Sequence, residues 1–479
     1  MASSDSSAIV RDSWWSRPAG GRDVLRVSAP LVVSTFSWTI MTFIDRVMLN
    51  WVSGAAMAAA FTSSAAWFAM LSLPLGVCSY TNTFVAQYDG AGQPRQIGRV
   101  FWQANWIALG FAPLVLLAIP LAPMLFALAG HSAESYRLEV TFFQILCVGA
   151  PALVLAQSGS AFYSGRGQTW VVMVVDASAA VLNLALDYCW IFGNCGFPAW
   201  GIRGAGWATT TSLWVKAMVY LLLPLQRAHR NKFGTLSGIK IDVALIRRIL
   251  AYGCPSGLQM LLDVAGFTMF LMLIGRLGDV EAEATSMAFS VSTLAFMPIY
   301  GLHLGVSVLV GEHLGENREE LASRATFTTL QISWLYMAVI SLLYVFAPGI
   351  FLRSFFVRGA AGATANANVA RMAAMLLRFV AGYNLLDATQ LVFVGALKGA
   401  GDTRFLLRVS LLLAALLGGF SYLSVEVWRL GVYDCWTLIV FWCLIAATLY
   451  AVRFWQGNWR RMRVIEAQNM QTAPGSAGG

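Results

Sequence analysis

Twelve apolar runs, each about 20 residues or longer, occupy most of this chain and limit it to one broad class of structure. They lie near residues 24–51, 60–86, 100–127, 140–163, 170–193, 204–225, 247–275, 284–310, 327–352, 372–397, 405–427 and 435–456. At about 1.5 Å per residue, a helix of about 20 apolar residues crosses the hydrocarbon of a bilayer. Several runs contain Pro or Gly, which membrane helices tolerate. Charged residues make up only 11% of the 479, against about 25% in a soluble domain. The deficit extends over the whole length, so the expected fold class is an all-α polytopic membrane protein. The start of the chain lacks the layout of a signal peptide, and the stretch after Arg463, ending QTAPGSAGG, reads as disordered.

A net charge of +9 could suggest a nucleic-acid partner, but its placement points to topology instead. If the N-terminus is cytoplasmic, twenty-two of the 32 Lys and Arg fall in cytoplasmic segments and eight on the other side. The positive-inside rule then puts both termini in the cytoplasm, with the chain in the plasma membrane and no nucleic acid as partner.

The longest hydrophilic connection, QRAHRNKFGTLSGIKID at 226–242, divides the runs six and six, and the two halves resemble each other. Pro30 matches Pro255, and VAQYDGAG from Val85 matches VGEHLGEN from Val310, both 225 positions apart. SGRGQT at 164–169 matches KGAGDT at 398–403, 234 positions apart. Six helices per half give both halves the same orientation, related by an axis along the membrane normal, with a cleft between them. The expected domains are a cytoplasmic tail (1–23), an N-lobe (24–225), a linker (226–246), a C-lobe (247–456) and a second cytoplasmic tail (457–479).

Intramembrane acids are costly, which makes them the candidate functional residues. Asp45 follows Ser34 and Trp38 on the first helix, and Asp176, Asn183 and Asp187 share a face of the fifth. Ser256, Gln259 and Asp263 form a stripe on the seventh, and Tyr383, Asp387 and Gln390 another on the tenth. Asp45 and Asp176 lie near enough to helix ends to be interfacial instead. Carboxylates in a low-dielectric cavity suit either proton exchange or, beside amide and hydroxyl oxygens, a small hard cation. A negative interior favours organic cations as ligands. Lys216, inside the sixth helix, either snorkels or neutralises an acid such as Asp187; Arg378 and His303 read as snorkelling or structural.

The seven cysteines show no zinc spacing and read as small buried hydrophobes. GAGD at 399–402 has the form of an intramembrane aspartyl protease motif, but the repeat places Gln168 opposite Asp402, so the segment is a shared glycine-rich turn. No nucleotide-binding loop, Ser–His–Asp set or metal cluster appears, and an enzyme is not expected.

With these residues in order, the chain resembles the MATE (multidrug and toxic compound extrusion) family, within the wider group of multidrug and lipid-linked oligosaccharide exporters. The resemblance covers residues 22–456. It rests on SAPLVVSTFSWTIMTFIDRVM, GVCSYTNTFVAQYDGAG, the N-x-x-x-D of Asn183–Asp187, GFPAWGIRGAGWAT and DATQLVFVGALKGAGDTR. It implies export of cationic amphiphilic compounds in exchange for Na+ or H+, by two lobes alternating in access, with no cofactor and as a monomer. It also implies that Asp45, Asn183 and Asp187 form the N-lobe coupling cluster. Asp263, Tyr383 and Asp387 match the C-lobe cation site of the NorM-like subgroup, a possible Na+ site; Asp263 is shorter than the Glu usual there. Gln259, Gln390, Asp176 and Lys216 are expected to line the cavity, and Lys216 is outside the family pattern. A flippase for lipid-linked saccharides is the alternative; it would need a cavity rich in Arg and Lys, whereas here intramembrane acids outnumber bases.

Overall fold

A computed structural model describes residues 13–127, 131–356 and 363–466. Its helices are α1 (Gly21–Val52), α2 (Gly54–Ser79), α3 (Thr81–Gly90), α4 (Pro94–Leu116), α5 (Ala118–Ala127), α6 (Ala133–Ser164), α7 (Thr169–Phe192) and α8 (Ile202–Leu222). They continue with α9 (Arg227–Phe233), α10 (Val243–Ile274), α11 (Asp279–Gly315), α12 (Glu319–Phe346), α13 (Pro348–Phe356), α14 (Ala363–Ala400), α15 (Thr403–Tyr422) and α16 (Val432–Trp455). Among the described residues there is no strand.

Among the described residues, eleven spans are long and apolar enough to cross a membrane, and the bent pair α4–α5 makes twelve. That pair breaks by 46°, where Pro120 lacks the N–H that would bond Leu116 and its ring crowds that carbonyl. Each expected run falls on one span. The ninth ends early: α12 stops at Phe346 rather than near 352, because Pro348 drives Ala347 out of the helical region.

The first six spans pack as one bundle, with α1 on α7 and both α2 and α8 on α6. The second six pack as another, with α10 on α15 and α11, α12 and α16 on α14. The two bundles meet where α1 lies on α11 and where α2 and α3 lie on α10 and α11. Glycine permits this approach. A Cβ on Gly76 would sit 2.5 Å from the Cα of Gly257, and one on Gly301 would sit 2.7 Å from the Cα of Val32. These are one contact made twice, since Gly76 precedes Gly301 by 225 residues and Val32 precedes Gly257 by the same number. Gly90 against Glu312 and Gly315 against Gln87 form a second such couple. Within each half, Gly165 packs on the carbonyl of Asn82 and its counterpart Gly399 on that of Ser307. The internal repeat is therefore real in space, and the fold is two pseudo-symmetric six-helix bundles.

The hydrophilic linker is fastened to α4. Trp102 Nε1 donates to the Thr235 carbonyl, Trp106 Nε1 to that of Ile239 at 2.9 Å, and Gln103 Nε2 to that of Lys240 at 3.0 Å. Gln103 Oε1 accepts from Asp242 N at 2.9 Å, and Arg99 pairs with the Asp242 carboxylate at 2.6 Å. The chain after α16 is also docked. Trp459 is buried, Val464 N donates to Gln87 Oε1 at 2.8 Å, and Glu466 pairs with Arg248. Val464 begins the stretch expected to be disordered, yet it is only 2% exposed. Residues 467–479, the rest of that stretch, lie outside the described residues, as do 1–12.

Candidate functional site

α7 carries Asn183 and Asp187 one turn apart, and both are fully buried. The Asn183 amide, turned so that its nitrogen faces acceptors, donates to Asp187 Oδ2 and to Asp45 Oδ1, at 3.1 Å each. Its oxygen accepts from Thr209 N on α8 at 3.2 Å. The shared amide brings the Asp45 and Asp187 carboxylates together, and Asp187 Oδ1 is buried without a protein partner. Two carboxylates joined by one amide repel each other unless a proton or small cation sits between them. The structure thus joins the three residues expected to act together. Arg46 does not close the site; its guanidinium stacks on Phe61, 4.9 Å from the ring centre.

Nearer the start of α7, Asp176 is held by three side chains of neighbouring helices. Its Oδ1 accepts from Lys216 Nζ at 2.8 Å and from Tyr220 Oη at 2.9 Å, while Ser34 Oγ donates to Oδ2. Lys216 therefore neutralises an acid rather than snorkelling, but the acid is Asp176, about three turns closer to the start of α7 than Asp187. Trp38, Met41, Ser212 and Leu213 line a small cavity beside the pair. Tyr220 escaped notice in the sequence, although its place four residues beyond Lys216 puts both on one face of α8.

Asp387 Oδ1 accepts from Gln390 Nε2 at 2.6 Å, and Tyr383 and Cys443 lie within electrostatic range of its carboxylate. Asp263 instead faces Gln259 and Ser410, with Lys398 as its charged neighbour. Ser410 is in turn hydrogen-bonded to Tyr450 at 3.3 Å. Tyr383 thus lies near Asp387, while Gln259, Ser410 and Lys398 surround Asp263. Lys398, Ser410 and Tyr450 were missed: the lysine is the last-turn residue of the glycine-rich motif, and nothing in the pattern showed it facing inward. His303 is structural, with Nδ1 2.8 Å from the Leu391 carbonyl and its ring stacked on Tyr300. Asp402 is held by Arg453 Nε at 2.7 Å, as a turn residue would be.

A family model described as MatE matches residues 30–189 and 255–422, one block in each bundle. The chain belongs to the MatE family. Among its relatives, the probable multidrug resistance protein NorM of Xanthomonas axonopodis pv. citri is 28% identical over 449 residues, covering 91% of this chain and 93% of the relative. The multidrug resistance protein PmpM of Pseudomonas aeruginosa is 28% identical over 393 residues, covering 81% and 80%. An outward-facing multidrug resistance MATE family transporter of the MOP superfamily has the same fold, with a TM-score of 0.82 at 20% identity over 93% of this chain and 96% of that one. The eukaryotic MATE transporter AtDTX14 aligns with a TM-score of 0.81 at 16% identity, covering 92% and 96%. These relatives are transporters, not enzymes, as the reading of GAGD as a turn required.

Within this MatE frame the two polar sites occupy equivalent places with exchanged chemistry. Trp38 and Ser34 correspond to Asp263 and Gln259, each 225 residues later, and Asp176 corresponds to Ser410, 234 later. Tyr220 on Asp176 is repeated as Tyr450 on Ser410. The acid sits on the fifth helix in one lobe and on the seventh in the other.

Proposed function

We propose that this MatE-family chain is a secondary active multidrug exporter of the plasma membrane, moving cationic amphiphilic compounds out against inward Na+ or H+. The observation that carries the reading is the Asp45–Asn183–Asp187 cluster: a buried carboxylate pair, joined by an amide, inside a transmembrane bundle. A proton or Na+ arriving there relieves the repulsion and changes how α1 packs on α7, which is the differential interaction that alternating access needs. The lobes are 24–225 and 247–456, joined by the linker 226–246, with tails 1–23 and 457–479 in the cytoplasm. Glycine contacts gather the lobes at the end bearing the described termini, which supports a state closed to the cytoplasm. Asp263, Tyr383 and Asp387 are the coupling residues of the C-lobe, while Gln259, Gln390, Asp176 and Lys216 line the cavity. Lys216 and Lys398 each have a carboxylate neighbour, so neither offers a free cation to a lipid-linked pyrophosphate. The protein acts as a monomer and needs no cofactor beyond the coupling ion.

The test is purified protein in liposomes, following efflux of a fluorescent organic cation under a Na+ gradient alone and a proton gradient alone. One of the two gradients should drive efflux, and Asp45→Asn and Asp187→Asn should each abolish it. Wild-type efflux by both variants would remove these residues from the coupling step.

A further inference from the structure

Two of the seven cysteines do not behave as buried hydrophobes. Cys78, Cys147, Cys435 and Cys443 are buried and Cys254 is half-buried inside α10, but Cys195 is exposed and its Sγ lies 3.1 Å from that of half-buried Cys189. The approach is imposed by the backbone, independently of the sulfurs. Gly193, Cys195 and Gly196 all have left-handed φ values, +76°, +57° and +83°, and they turn the chain back onto the last turn of α7. Asn194 N donates to the Cys189 carbonyl at 3.0 Å, Asn194 Nδ2 to that of Tyr188 at 3.3 Å, and Trp200 N to that of Trp190 at 2.9 Å. A left-handed position favours Gly or Asn, and a cysteine there costs about 1–2 kcal/mol. Keeping it points to a use for its side chain. The turn lies at the end of α7 away from the described termini, so in the proposed topology it faces the outside, where disulfides form and persist.

We propose that Cys189 and Cys195 are a disulfide-forming pair that locks the outer end of the N-lobe. The inference rests on the proposed topology. The oxidant is a disulfide of the outer compartment, either a dithiol oxidoreductase in its oxidised form or a small-molecule disulfide. The Cys195 thiolate attacks one oxidant sulfur, forming a mixed disulfide and releasing the other sulfur as a thiolate. The Cys189 thiolate then attacks the Cys195 sulfur, closing the bridge and releasing the second oxidant thiol. Two protein thiols lose two electrons and two protons, and the oxidant disulfide becomes two thiols.

The bridge fixes more than a loop. Cys189 lies two residues beyond Asp187, and the bridged loop leads directly into α8, which carries Thr209 and Lys216. The same corner touches the end of α1, where the tilted rings of Trp51 and Phe192 lie 6.2 Å apart and Gly201 lies beneath Val52. The helices holding the carboxylate cluster are therefore tied at a single point, next to the site.

The test alkylates full-length protein from cell membranes with N-ethylmaleimide in denaturant, with and without prior reduction, and reads intact mass. Unreduced wild type should take five alkyl groups and reduced wild type seven, while Cys189→Ser and Cys195→Ser should each take six under both conditions. Seven groups on unreduced wild type would overturn the proposal. A second arm treats intact cells bearing Cys189→Ser with a membrane-impermeant maleimide. Labelling of Cys195 places the turn outside, whereas its protection in intact cells with labelling in inverted vesicles shows that the topology failed. Reduction should also lower the thermal unfolding midpoint of wild type and leave that of Cys195→Ser unchanged; equal shifts in both would remove the structural role.

Discussion

A lysine 2.8 Å from a carboxylate within a membrane span is tolerable only while both partners are present. Removing one leaves an uncompensated charge among Trp38, Met41 and Leu213, at a cost of about 3–5 kcal/mol. Lys216→Met should therefore lower the thermal unfolding midpoint sharply, and adding Asp176→Asn should restore most of the loss. A double variant no better than Lys216→Met alone would show that the pair is not the unit. Asn183 makes the opposite kind of contribution, joining two like charges. Asn183→Leu removes the donor shared by Asp45 and Asp187 and should reduce ion-driven efflux by roughly 10- to 100-fold, the kinetic equivalent of about 1.5–3 kcal/mol for hydrogen bonds to charged groups. Substrate binding in the absence of a gradient should change much less, which equilibrium fluorescence would establish. The Asn183–Asp187 spacing was legible because four residues along a helix define a face. Asp45 joined it only through tertiary packing, and the partner of Lys216 stayed open because spacing cannot say which turn of a neighbouring helix a long side chain reaches.

At the level of helices, the repeat was legible because matched landmarks at a constant offset survive even where side chains differ. What the offset could not show was how the copies touch. The couple Gly76–Gly257 and Val32–Gly301 makes the interface self-complementary, as in a two-fold dimer built from one chain. Gly76→Val would drive a side chain into the Gly257 backbone and, at about 1–3 kcal/mol for such overpacking, should separate α2 from α10. In inverted vesicles, a single cysteine introduced at Val77 should then react faster with an impermeant maleimide than in the parent. Gly110→Ala on α4 meets nothing within 4 Å and should leave that rate unchanged; equal rates for both variants would show that the glycine contact does not hold the helices together. The docking of the linker was invisible for a different reason. Trp102, Gln103 and Trp106 bind backbone carbonyls, and a backbone carbonyl leaves no mark on the sequence that carries it.

Across the whole molecule, Gln87 is where three parts of the chain meet. Its Nε2 donates to the Gly399 carbonyl at 3.0 Å, at the end of α14, while its Oε1 accepts from Val464 N at 2.8 Å, in the segment after α16. One side chain of the first lobe thus holds both the glycine-rich turn of the second lobe and the strap that follows its last helix. Glu466 with Arg248, and Arg463 with Asn317, extend the strap over α10 and the α11–α12 connection. Any state open at this end has to break these bonds, so the strap biases the lobes toward the closed arrangement. Gln87→Met keeps the bulk and removes both hydrogen bonds, leaving one buried N–H and one buried carbonyl unpaired. At about 1 kcal/mol or more for each unpaired group, the open fraction at this end should rise roughly 30-fold or more. Spin labels at positions 95 and 318, exposed on the two lobes, would report it as a new population at longer distance in Gln87→Met. Truncation after Arg461 removes the strap and leaves the Gln87–Gly399 bond, so it should produce the same population at lower occupancy. Distance distributions identical to the parent in both variants would mean that the lobes are held by their glycine contacts alone.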